Sequence, residues 1–171
     1  MPAAVTRSRR DSPDPFSITS FGIAMPRSRS TRRTTSAALA GVAMPKLVIE
    51  NGSGLSRSER ITAGGLVRLL VAADRSAVRE DFASSLAVAA IDGTLERRFL
   101  TGPVGGQALL KTGSLEGVRA LAGYVLDAAG HRHAVAAIIN HPNAARGGAA
   151  LDALVQWIWQ NGATWDPAHQ R

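Results

Sequence analysis

Cysteine is absent from the 171 residues, which excludes a disulfide framework, a thiolate metal site and a cysteine nucleophile together. No run of about 18 apolar residues is present to span a bilayer. Aromatic residues make up only 5% of the chain, and lysine occurs twice, at Lys46 and Lys111, in an otherwise arginine-based set of cations. A hydrophobic content of 45% with 19% charged residues is enough for one domain with a core and too short a chain for two.

The net charge of +7 is concentrated at one end. Residues 1–46 carry eight basic groups against Asp11 and Asp14, whereas the remaining 125 residues carry twelve basic and eleven acidic groups. Basicity therefore belongs to the leading segment. From Met1 to about Pro45 the chain is rich in Ser, Thr, Arg and Pro, and Phe16, Ile18, Phe21 and Ile23 are too sparse for a long periodic face, so a disordered leader is expected. Arg7 to Arg10 are followed by Asp-Ser-Pro-Asp-Pro rather than an apolar run, which is not the pattern of a signal peptide. Seven arginines in a flexible arm would also give salt-sensitive polyanion binding, but without interleaved aromatics no specific nucleic-acid reading is expected.

From Lys46 the aliphatic residues become periodic. Leu47-Val48-Ile49 reads as a short extended run stopping at Asn51-Gly52-Ser53-Gly54. Thr62 can cap a helix through Leu66, Leu69 and Leu70 that ends near Asp74, and Ser76 can cap another carrying Val78, Phe82 and Leu86 on one face. Three extended candidates follow at 107–112, 118–126 and 133–140, joined by hairpin connections at 113–117 and 129–131, which makes an antiparallel meander. Ala134 to Ile139 is apolar at every position, as expected of a strand covered on both faces. A helix over 148–160 turns Leu151, Leu154, Val155 and Ile158 inward and meets Gly162 after its last turn.

Lys111-Thr112-Gly113 combines an ammonium with a threonine hydroxyl, a compact hydrogen-bonding site for a carboxylate, and with a glycine that lets a ligand approach the backbone. The bland reading of the same triplet is a solvated lysine at a strand end. Here it sits in Leu109-Leu110-Lys111-Thr112-Gly113-Ser114-Leu115, before Ala120-Leu121-Ala122-Gly123-Tyr124, after Asp92-Gly93-Thr94-Leu95-Glu96-Arg97-Arg98, and downstream of Glu50-Asn51-Gly52-Ser53-Gly54-Leu55-Ser56-Arg57. In that order the set resembles the carboxyl-terminal part of the D-alanyl-D-alanine carboxypeptidase/endopeptidase family, the class C low-molecular-mass penicillin-binding proteins, from about Val42 to Gly162. The resemblance implies an α+β fold, the sheet and terminal helix of a β-lactamase-like serine hydrolase. It implies acyl transfer at D-Ala-D-Ala peptides of peptidoglycan without a cofactor, a periplasmic setting, and β-lactams as ligands of a complete site. It further implies that Lys111 and Thr112 line the cleft with Gly113, and that the Ser114 N–H contributes to an oxyanion hole. The run Gly52 to Ser56 is either a family turn near the cleft or a structural glycine turn.

Two family motifs are missing by count. A Ser-x-x-Lys nucleophile motif needs serine three residues before lysine, and those positions hold Ala43 and Ala108. A Ser-x-Asn motif needs serine two before asparagine, and those positions hold Ile49, Ile138, His141 and Trp159. An ordinary serine is a poor nucleophile without such a partner. The expectation is a chain that retains the substrate clamp without the nucleophile, inactive alone, its leader arising from a shifted frame or altered gene start, with exposed faces that favour aggregation or partner binding. A noncatalytic peptidoglycan-peptide binder is the other reading.

His131 and His133 are two apart and would share a face of a strand, but no thiolate or carboxylate is evident at close spacing, so an exposed hairpin end is expected rather than a metal site. Trp157, Trp159 and Trp165 read as packing of the last helix and tail. The expected organisation is a basic leader over 1–45, a partial penicillin-binding domain over 46–162 and a tail over 163–171.

Overall fold

The computed structural model describes Val42, Leu47, Val48 and residues 58–164. Helix α1 spans Ala63–Asp74, and the Thr62 hydroxyl accepts from the Gly65 N–H at 3.0 Å, the cap expected of it. The second helix departs from expectation. Helix α2 is short, Arg79–Ser84, and opens at Val78 without a side-chain cap. Ser76 does not cap it, because its hydroxyl donates back to the Ala73 carbonyl at 2.8 Å and serves the end of α1 instead. Val78 is consequently exposed while Leu86 is buried.

Four strands form one antiparallel sheet in chain order: β1 Ala87–Val88, β2 Ala108–Leu115, β3 Val118–Leu126 and β4 Arg132–Asn140. The meander is as expected, except that the first connection is shorter. Gly113, Ser114 and Leu115 belong to β2 and pair with Ala120, Arg119 and Val118, leaving Glu116-Gly117 as the turn. Gly117 has φ +74, which lets two residues close the hairpin. Helix α3 spans Gly148–Asn161 and buries Leu151, Val155 and Ile158, with Leu154 partly buried. Trp159 packs inward with them, Trp157 lies exposed on the outer face, and Trp165 is outside the described residues.

The sheet is the middle of three layers. On one face Leu66, Leu69 and Leu70 of α1, with Ala83 and Leu86, pack on Ala120, Ala122, Tyr124, Ala134 and Ala136. On the other face α3 and the loop residues Leu95, Phe99 and Val104 pack on Leu110, Leu121, Val125, Val135 and Ala137. Alternate residues of a strand point to opposite faces, so coverage by both layers explains the unbroken apolar run in β4. Tyr124 fastens the first layer: its hydroxyl donates to the Leu70 carbonyl at 2.7 Å, and the Arg132 guanidinium lies 5.4 Å over its ring while bonding Asp74 at 2.8 Å. Burial, with a smaller contribution from the Asp74 carboxylate, pushes the phenol up to about 12 against the opposing Arg132 and Arg79. On the other layer Arg98 is paired with Asp152, tying the loop before β2 to α3.

The extended run at Leu47-Val48 survives as a single antiparallel bridge between Val48 and Arg60. Ile49 and the turn from Asn51 through Ser56 lie outside the described residues, as does almost all of the leader.

Candidate functional site

The site is built on the one stretch of β2 that has only one strand neighbour. β1 pairs with Leu109 and Leu110 and then ends, whereas β3 follows β2 to Leu115. Among the described residues, the β1-side edge of β2 from Lys111 to Leu115 therefore has no strand partner. Backbone direction along this edge follows from two bonds. The Gln107 carbonyl accepts from the Leu126 N–H at 2.8 Å, on the β3 side, and the Ala108 carbonyl accepts from the Ala89 N–H at 2.9 Å, on the β1 side. In an antiparallel ladder the direction alternates, so Thr112 and Ser114 turn their N–H and C=O groups to the open edge.

Side chains alternate as well. Lys111 follows Leu109 toward the α1 layer and Thr112 follows Leu110 toward the α3 layer. Lys111 and Thr112 thus straddle the edge rather than lying on one face. They meet through the backbone: the Lys111 ammonium folds over to donate to the Thr112 carbonyl at 3.0 Å. Both side chains are half-buried, Gly113 is buried and Ser114 is exposed. An anion laid along this edge would meet a cation, a hydroxyl and outward N–H groups together.

Nothing in the sequence pattern marks Thr94, of the Asp92-Gly93-Thr94-Leu95 segment, as a site residue. Its hydroxyl lies 2.8 Å from that of Thr112. A 3₁₀ turn, Gly93–Leu95, holds it there. Leu95 is fully buried, and the Asp92 carboxylate accepts from the Val88 N–H at 2.6 Å, fastening the turn to β1. The only sequence signal was a threonine in a tight Asp-Gly turn, which names no partner across 18 residues.

A second polar cluster lies at the other end of the β2–β3 pair, and here the histidine reading needs correction. A carboxylate does join His131 and His133: Asp127, four residues before His131. Its Oδ2 is 2.8 Å from His133 Nε2 and 3.2 Å from His131 Nδ1, and its Oδ1 accepts from the Ala129 and His131 N–H groups at 2.9 Å each. The Asp127 side chain is buried completely, His133 is 13% exposed and His131 is 62% exposed, so only one of the two histidines behaves as an open hairpin end. Burial alone would raise the Asp127 carboxyl; the His133 bond, the His131 N–H, the His131 ring and the Ala129 N–H together outweigh it and hold the group well below the usual carboxylate range. Among the described residues no group of three or more His, Cys, Asp or Glu is arranged to hold a metal. The cluster fixes the β3–β4 turn against the end of α3, where Gly162 is required by space: a Cβ there would lie 2.6 Å from His133 Nε2. Gly162 stands immediately after the last turn of α3, as expected, with φ −58, so space rather than a left-handed conformation calls for glycine there.

The chain is 40% identical over 78 residues to a penicillin-sensitive carboxypeptidase A of Dictyostelium discoideum, covering 44% of this chain and 15% of that protein. It is 39% identical over 90 residues to a D-alanyl-D-alanine carboxypeptidase of Actinomadura sp., covering 50% of this chain and 17% of that one. Each alignment thus spans about one sixth of the relative's own length. In fold it is similar to the crystal structure of penicillin binding protein 4 from Haemophilus influenzae, with a TM-score of 0.59 and 23% identity over 71% of this chain and 30% of the other. Residues 25–161 match the D-Ala-D-Ala carboxypeptidase 3 (S13) family, a match that starts inside the segment read as a basic leader and runs through all four strands to the end of α3. The chain belongs to that family.

Proposed function

We propose that this chain supplies the substrate-gripping strand of a serine-type D-Ala-D-Ala carboxypeptidase/endopeptidase acting on peptidoglycan peptides, without supplying the nucleophile. The observation that carries the reading is the open edge of β2 at Lys111-Thr112-Gly113-Ser114, within a chain of this family. The ammonium of Lys111 and the hydroxyl of Thr112 are suited to the carboxylate of a terminal D-alanine, and a peptide added along the edge would pair with the Thr112 and Ser114 backbone as an extra strand. The Ser114 N–H, turned to the same edge, is suited to the developing oxyanion of an acyl transfer. No position three residues before a lysine holds serine, so these 171 residues contain no Ser-x-x-Lys nucleophile. The proposal includes a periplasmic setting, which the family membership supports, and among the described residues no helix is long and apolar enough to cross a membrane. Incubation with a fluorescent penicillin followed by denaturing electrophoresis is expected to leave the full chain unlabelled. A covalent adduct on any serine would overturn the claim that the nucleophile is missing.

A further inference from the structure

We infer that Thr94 is a positioning residue that aims the Thr112 hydroxyl at the ligand carboxylate; the inference rests on the reading of Lys111 and Thr112 as a carboxylate clamp. A threonine hydroxyl has one proton and two lone pairs. The two hydroxyls stand 2.8 Å apart, and either oxygen could be the donor on distance alone. A carboxylate decides the direction. It offers only lone pairs, so Thr112 can bind it only by donating its single proton to it, and Thr112 must then accept from Thr94. The reverse arrangement, with Thr112 donating to Thr94, would present lone pairs to an anion. The productive chain therefore runs from the Thr94 hydroxyl to the Thr112 hydroxyl to the carboxylate, each bond polarising the next.

The position of Thr94 suits this role because it is set independently of the ligand. Its neighbour Leu95 is sunk in the core between the sheet and α3. Gly93 has φ +54 and sits so close to β1 that a Cβ would lie 3.1 Å from that of Ala87. Asp92 bonds the Val88 N–H, and β1 in turn is paired with Leu109 and Leu110, immediately before Lys111. The turn is thus fastened to the same strand whose hydroxyl it orients. Thr94 is itself exposed, so the bond to Thr112 is not needed to satisfy a buried group.

The experiment is an NMR titration of the full chain with diacetyl-L-lysyl-D-alanyl-D-alanine, using Thr94→Val, Thr94→Ser, Thr112→Val and the Thr94→Val/Thr112→Val pair. Thr94→Val is expected to weaken binding about fivefold, the net worth of one hydrogen bond. Thr94→Ser, which restores the hydroxyl, is expected to restore the affinity, and Thr94→Val is expected to have no further effect once Thr112 is already valine. Thr94→Val binding like the unmodified chain, or the same loss persisting in the Thr112→Val background, would overturn the positioning role and leave the clamp standing. Absence of saturable binding by the unmodified chain would overturn the clamp and the positioning role with it.

Discussion

Gly123→Ala is expected to cost about 3 kcal/mol or more of folding free energy, among the largest effects available to a single methyl group in this protein. Gly123 lies in β3 opposite Leu110, and an added Cβ would meet the Leu109 carbonyl oxygen at 2.1 Å and the Leu110 Cα at 2.9 Å. Both obstacles are backbone, so no side-chain rotation relieves them; β2 has to move away from β3. Its φ of +150 adds a conformation that alanine resists. Gly130→Ala separates the two causes, since Gly130 has φ +83 but nothing within 4 Å of the new methyl. Its cost is expected to be only about 1 kcal/mol, the backbone penalty alone. Urea denaturation of both variants measures the difference. Equal costs would mean that β2 is not pressed against Gly123, and Lys111, the residue that follows Leu110, would lose the support this account gives it.

Asp127→Asn is expected to cost roughly 2 kcal/mol at neutral pH and to remove part of the acid sensitivity of the fold. The carboxylate accepts four hydrogen bonds in a buried position, two from backbone N–H groups and two from imidazoles. An amide keeps the volume but places an NH₂ donor where one oxygen had accepted, so one pair of contacts is lost or forced into a new tautomer. The sign of the pH effect follows from the direction of the shift. Folding holds the Asp127 carboxyl well below its ordinary value, so the ionised form is favoured in the folded state. That contribution is complete above the unfolded value near pH 4 and is lost as the pH falls further toward the folded value. Denaturation midpoints measured from pH 7 down to pH 3 should therefore decline more steeply for the unmodified chain than for Asp127→Asn. Parallel curves would show that the carboxylate does not carry this stabilisation.

The elements of this fold were legible wherever local chemistry was the cause. Thr62 before an i, i+3, i+4 apolar pattern marked α1, and the alternation and turns of the second half marked the meander, because side-chain period and turn residues act over a few positions. The misreadings arose where one group had two uses. Ser76 could cap forward or bond backward, and only the packed end of α1 decided for the second. Gly113 looked like part of a turn, but pairing with Ala120 kept it in the strand. At the candidate site, the Lys-Thr-Gly triplet is visible in the sequence as a run of adjacent residues. The open edge was not legible, because it depends on β1 stopping after two residues, and neither was the Thr94–Thr112 bond, which joins positions 18 apart. Asp127 was missed as the partner of both histidines because a hairpin turn, rather than a helix or strand period, brings it back to them.

In the proposed function the open edge of β2 grips a D-alanyl carboxylate through Lys111. Calorimetric titration of the unmodified chain and of Lys111→Ala with diacetyl-L-lysyl-D-alanyl-D-alanine tests it most directly. Saturable binding by the unmodified chain, weakened at least about tenfold in Lys111→Ala as expected for loss of a charge-assisted hydrogen bond, is the predicted result. No binding, or equal binding by the two proteins, would contradict it.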